Sequence, residues 1–118
     1  LAPARNAAPR RAKPARITDA APLFAALGDE KRLSLVARLC SGGPASITGL
    51  AAGSPVTRQA VTKHLRVMEQ AGLVRSFRRG RERLWQMDPR SLNQARRYLD
   101  QISTQWDVAL ARLKSFVE

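Results

Sequence analysis

Residues 57–85 read TRQAVTKHLRVMEQAGLVRSFRRGRERLW, and they carry two structural signals in succession. On a wheel of about 100° per residue, Ala60, Val61, Leu65, Val67, Met68 and Ala71 occupy one broad side. Arg58, Gln59, Thr62, Lys63 and Arg66 occupy the other. The pattern predicts an amphipathic helix with Thr57 as N-cap, ending at Ala71 and closed by Gly72. Two strands are predicted next, Leu73–Arg78 and Arg83–Met87, with Gly80 at the tip between them.

The polar side of that helix has the chemistry of groove recognition. Arginine can grip guanine through two hydrogen bonds, and glutamine can do the same to adenine. Arg58 and Gln59 are therefore the candidate base readers, Thr62 and Lys63 can reach phosphate or base edges, and Arg66 suits a phosphate. A solvated amphipathic helix would give the same wheel, but not the local charge. Arg58 to Arg83 holds eight Lys and Arg against Glu69 and Glu82 alone. Arg78, Arg79, Arg81 and Arg83 surround Gly80, so the hairpin has a basic tip. Such a tip can follow a phosphate backbone or enter a narrow minor groove, although basic tips also occur as plain solvated loops. His64 falls near the apolar side and reads as a partly buried, hydrogen-bonded residue rather than a base reader or metal ligand.

Upstream, a helix is expected from about Asp19 to Leu27, stopped by Gly28. Asp29 is placed to cap the next one. There Leu33, Val36, Ala37 and Cys40 fall at i, i+3, i+4 and i+7, which predicts one buried stripe with Cys40 as a packed thiol. Ser41, Gly42, Gly43 and Pro44 break this helix. A short third helix, about Ser46 to Ala52, should bury Ile47, Leu50 and Ala51, and Gly53, Ser54 and Pro55 connect it to the helix beginning at Thr57. Helix, tight connection and second helix is the helix-turn-helix arrangement, and the hairpin beside it supplies a wing.

The whole chain of 118 residues has a formal net charge of +12, which points to a polyanionic partner. Its single cysteine rules out an intrachain disulfide or a multi-cysteine zinc site and fits a reducing compartment. No apolar run approaches the roughly 20 residues of a membrane span. No secretory signal is evident, and with Leu1 first the chain reads as a fragment or a processed product. Residues 1–16 hold three prolines, five basic residues and no acid, the composition of a disordered arm. The arm either follows DNA or is a passive tail.

Asp88 and Pro89 read as N-cap and first position of a last helix. Its apolar residues Leu92, Ala95, Leu99, Ile102, Trp106, Ala109, Leu113 and Phe116 step by 3, 4, 3, 4, 3, 4 and 3. A seam this long exceeds what so small a domain can cover, so a second copy is expected to cover it. A helix folded back over its own core is the alternative. Two-fold symmetry in the protein implies an operator with two half-sites.

Three strings, LFAALGDEKRLSLVARL (23–39), TRQAVTKHLRVMEQAGLV (57–74) and RRGRERLWQMD (78–88), make the chain resemble the ArsR/SmtB family of bacterial repressors. The resemblance runs from about Leu23 to the end of the last helix and is most specific in HLRVMEQAGLV. It implies a dimer paired through its first and last helices, which adds Leu23 and Phe24 to the expected interface of Leu92, Leu99, Ile102, Trp106 and Leu113. It also implies repression relieved by an inducer. Metal-sensing members carry ligands that the corresponding stretch GGPASITGL (42–50) lacks, and thiol-sensing members need two cysteines.

The expectation is a mainly α fold with a small β-hairpin wing, a winged helix-turn-helix dimeric through its terminal helices. Residues 1–16 form the arm, 17–90 the DNA-binding domain and 91–118 the dimerisation helix. The function is that of a homodimeric, sequence-specific DNA-binding repressor in the cytoplasm, on a pseudo-palindromic operator. Thr57, Arg58, Gln59, Thr62, Lys63, Arg66, Arg78, Arg79, Arg81 and Arg83 are its DNA contacts. No catalytic group, cofactor or metal is expected, an unknown small-molecule or protein inducer is allowed, and no membrane is involved. The alternative is a winged helix that binds RNA or a protein.

Overall fold

The computed structural model describes residues 16–117. The expected arm therefore lies outside the described residues except for Arg16, as does Glu118. Five helices and one hairpin follow in order: α1 (Ile17–Leu27), α2 (Glu30–Gly42), α3 (Ile47–Ala51), α4 (Arg58–Gln70), β1 (Val74–Arg79), β2 (Glu82–Met87) and α5 (Pro89–Val117). The fold is mainly helical with a two-stranded antiparallel wing, as the periodicities predict.

Side-chain caps set the starts of the three middle helices. Asp29 Oδ2 accepts from the Arg32 backbone N–H at 3.0 Å, Ser46 Oγ from Gly49 at 3.0 Å, and Thr57 Oγ1 from Ala60 at 3.1 Å. Each satisfies a donor that the helix itself leaves unpaired. α4 ends in a Schellman motif. The N–H of Leu73 donates to Met68 O and that of Gly72 to Glu69 O, both at 2.9 Å. The turn needs the left-handed φ of +83° at Gly72, where a side chain would be strained.

The core gathers Leu23 and Ala26 from α1, Leu35 and Leu39 from α2, Leu50, then Val61, Leu65 and Met68 from α4, with Leu73, Val74, Trp85 and Ala95 closing it. Leu65, Met68 and Leu73 have no solvent exposure. Each such side chain is worth about 1.5–3 kcal/mol of burial.

The stripe on α2 corrects the sequence reading. Leu33 is 51% exposed, and Ala37 and Cys40 are exposed too; Leu35 and Leu39 are buried instead, with Val36 half-buried. The inward face runs Arg32, Leu35, Val36, Leu39, which has the expected spacing displaced by one residue. That register opens on an arginine, so counting apolar residues alone passes over it. Arg32 belongs there because its guanidinium is occupied, with Nε donating to Ala26 O at the end of α1. Cys40 is therefore a surface thiol.

β1 and β2 pair from Val74↔Met87 to Arg79↔Glu82, one residue further along β1 than expected. Ala45 adds a bridge on the free side of β2, exchanging hydrogen bonds of 3.0 and 2.8 Å with Trp85. One residue between two helices leaves no periodic trace in sequence. The wing is thereby tied to the loop before α3 as well as to α4.

Candidate nucleic-acid interface

α4 turns Val61, Leu65 and Met68 into the core, which fixes the direction of its other face. Arg58, Gln59, Lys63 and Arg66 are exposed there. The structure thus gathers these four candidate contacts on one outward surface. Val67, counted on the apolar side, is left 38% exposed, because the core takes only the central strip of that side.

Two threonines of the candidate set are partly committed elsewhere. The Thr57 hydroxyl oxygen accepts from Ala60, so this residue caps the helix first, and only its hydroxyl hydrogen is left for a phosphate. Thr62 is half-buried and donates to Arg58 O at 2.8 Å, which leaves its oxygen as an acceptor. His64 is half-buried on the inner side. Its Nδ1 lies 3.4 Å from Arg32 Nη1 and 3.9 Å from Asp29 Oδ2. It links α4 to the start of α2, away from the outward face.

In the wing, Gly80 and Arg81 form the two-residue connection, with φ of +63° at Gly80. A positive φ at the first position alone is the pattern of a II′ turn, which suits the twist of a hairpin. Arg78, Arg79, Arg81 and Arg83 are all exposed. Arg83 Nη1 donates to Ser76 Oγ at 2.8 Å, so it is the one held within the hairpin by a hydrogen bond.

Residues that periodicity passed over hold this surface in place. Arg38 donates from Nη2 to Gly49 O at 2.9 Å and from Nη1 to Leu50 O. A cation on these carbonyls satisfies the end of α3, the first helix of the helix-turn-helix. Ser91 Oγ donates to Gly72 O, joining the end of α4 to the start of α5. Asp88 Oδ1 accepts from the Arg90 backbone N–H at 2.9 Å and caps α5; this bond, then that from the Arg90 guanidinium, holds its carboxyl below its ordinary value. A lone exposed-looking arginine or serine gives no signal in sequence, whereas Asp88-Pro89 did.

The expected dimer residues divide. Leu23 is only 2% exposed and belongs to the chain's own core, so it is removed from the surface available to a partner. Phe24 is half-buried, its ring 5.8 Å from that of Tyr98, and packs α1 on α5. Leu92, Leu99, Trp106 and Leu113 are exposed and Ile102 is half-buried. From residue 103 to 117 every residue of α5 is exposed, and at about 1.5 Å per residue this half of the helix is roughly 22 Å long. Leu110 and Val117, which the 3-4 count omitted, lie on the same apolar strip as Trp106, widening it.

Among the described residues no group of three or more His, Cys, Asp or Glu is placed to hold a metal, and no helix is long and apolar enough to cross a membrane.

Residues 27–76 match the helix-turn-helix domain family. An HTH-type transcriptional regulator of Mycobacterium tuberculosis is 39% identical over 88 residues, which span 75% of this chain and 81% of that protein. An ArsR-like transcriptional regulator from Rhodococcus sp. RHA1 superposes with a TM-score of 0.73 at 37% identity, over 86% of this chain and 92% of that one. A homodimeric winged helix-turn-helix DNA-binding domain from Mycobacterium bovis, described as a possible ArsR-family regulator, gives a TM-score of 0.60 at 19% identity, over 78% and 83% of the two chains. That last likeness is one of fold.

Proposed function

The chain belongs to the ArsR-like helix-turn-helix transcriptional regulators, and we propose that it works in the cytoplasm as a homodimeric repressor on a pseudo-palindromic operator. The observation that carries the DNA reading is the outward face of α4. Four long polar side chains, three of them cationic, stand on a helix whose opposite face is locked by Val61, Leu65 and Met68. Arg58 and Gln59 read bases; Lys63 and Arg66, with Arg78, Arg79 and Arg81 of the wing, hold phosphates. Thr57 and Thr62 add weaker contacts from hydroxyls already used within the helix.

Dimerisation is supported by the exposed apolar strip on α5 and by the homodimeric state given for the Mycobacterium bovis domain of the same fold. The repressor reading rests on the resemblance to the ArsR/SmtB family: a dimer seated on an operator would block the polymerase until it is released.

Selection of bound sequences from random duplex DNA tests the reading. The expected result is a consensus of two inverted half-sites about one helical turn apart, with affinity falling steeply as salt rises. Failure to enrich any sequence, or tighter binding to structured RNA than to the best duplex, would overturn it.

A further inference from the structure

Behind the recognition helix the structure contains a cavity of about 250 Å³. Its floor is apolar, formed by Leu35 of α2, Leu50 of α3, Val56 of the turn and Val61 of α4. A single water needs only roughly 10–15 Å³ of such space, so this is far more than a packing defect. An apolar floor hydrates poorly, so an apolar body is the better occupant.

The rim is polar and its charge is unbalanced. Lys31 and Arg38 face a single carboxylate, Glu30, in a chain that is strongly cationic overall. Arg38 is held by the carbonyls of Gly49 and Leu50, which spends two of its N–H groups and fixes its plane. The remaining donors are available to an anion at the mouth. At about 250 Å³ the space lies just below the usual range of ligand pockets, which favours one ring or a short chain over a nucleotide or sterol.

We propose that this cavity binds a small amphipathic monocarboxylate, with its hydrocarbon body on the Leu35, Leu50, Val56 and Val61 floor and its carboxylate against Arg38 and Lys31. We further assign it the inducer role. Val61 and His64 belong to the inner side of α4, so an occupant touches the recognition helix from behind while touching α2 and α3. It re-seats that helix and weakens operator binding, and DNA weakens acid binding by the same factor. Only the coupling rests on the reading of the chain as a DNA-binding repressor; binding itself is read on the free protein.

The 118-residue chain, labelled with ¹⁵N, is titrated with sodium benzoate, phenylacetate and octanoate, and with benzylamine and benzyl alcohol for comparison. The acids are expected to give saturable amide shifts centred on Leu50, Val56 and Val61, and the amine none there. Lys31→Glu should weaken acid binding several-fold. Ser34→Trp, at the exposed rim, should fill the mouth and abolish it; both variants must keep the wild-type spectrum elsewhere. No saturation up to about 10 mM, equal binding of amine and acid, or shifts centred on Leu110 and Leu113 overturns the site. In mobility shifts on the selected operator, saturating acid should weaken binding about tenfold in wild type and leave Ser34→Trp unmoved. Acid binding with unchanged operator affinity overturns the inducer role. A chain that binds no duplex even without acid overturns the repressor reading and the coupling with it, while the titration still decides the site.

Discussion

Arg83 and Ser76 are joined across the wing by a 2.8 Å hydrogen bond from the guanidinium to the hydroxyl. Four arginines surround the hairpin tip, and this one is engaged by the hairpin itself. Arg83→Ala should therefore weaken operator binding less than Arg79→Ala or Arg81→Ala. It should also leave the salt slope nearly unchanged, whereas each of the other two lowers it by about one phosphate contact. Mobility shifts at several salt concentrations measure both quantities. Equal losses for all three would show that the Ser76 bond is released on DNA.

Arg58→Ala and Gln59→Ala should relax base preference at one position per half-site, by about 1–3 kcal/mol each. Binding to a panel of single-base operator variants reads this directly. A wing substitution that changes preference while these two do not would reverse the assigned roles.

The two tryptophans report different events. Trp85 is buried between the wing and the core, and Trp106 is 65% exposed on α5. Dilution through the dimer dissociation range should shift only the Trp106 emission to the red and raise its quenching by acrylamide. Trp106→Ala should weaken the dimer by about 2 kcal/mol or more, as anchors in an interface do. Sedimentation of both proteins checks it, and a mutant that dimerises like wild type would place the contact elsewhere.

Asp29 holds the start of α2 and Asp88 that of α5, and both carboxyls sit below their ordinary value of 3.8 chiefly because each accepts from a backbone N–H, of Arg32 and Arg90 respectively. A lowered pKa in the folded state means stability that is complete above the unfolded value and lost as pH falls through the folded one. Thermal stability should therefore decline below about pH 4, and Asp29→Asn, which keeps a cap but cannot titrate, should flatten part of that decline. Melting curves from pH 2 to 6 decide it.

Cys40 should react with a thiol reagent stoichiometrically in the native protein, without unfolding, because it is exposed. Cys40→Ser should change stability by no more than about 0.5 kcal/mol, while Leu65→Ala, at a fully buried site, should cost about 2–5 kcal/mol. Slow labelling that follows the unfolding rate would return this residue to the core.

These contrasts show what a sequence exposes and what it hides. The recognition helix was legible because Val61, Leu65 and Met68 alternate with cations at helical spacing, and because Thr57 and Gly72 mark its ends. The wing was legible from Gly80 and its arginines. α2 was misread by one position because the true stripe begins with Arg32, whose burial depends on Ala26 O and His64 in other elements. Arg38 and Ser91 were invisible for the same reason: their value lies in carbonyls 11 and 19 residues away. The cavity behind α4 has no linear trace at all, since its floor is collected from three helices and a turn.

The Ser91 bond to Gly72 O ties the end of α4 to the start of α5, and α5 is the helix a partner would grip. In a dimer built on that helix the two reading heads are geared together, and their angular phase is set by the protein rather than by the DNA. Lengthening the spacer by roughly 5 bp, half a turn of the duplex, would present one half-site on the wrong side of the double helix.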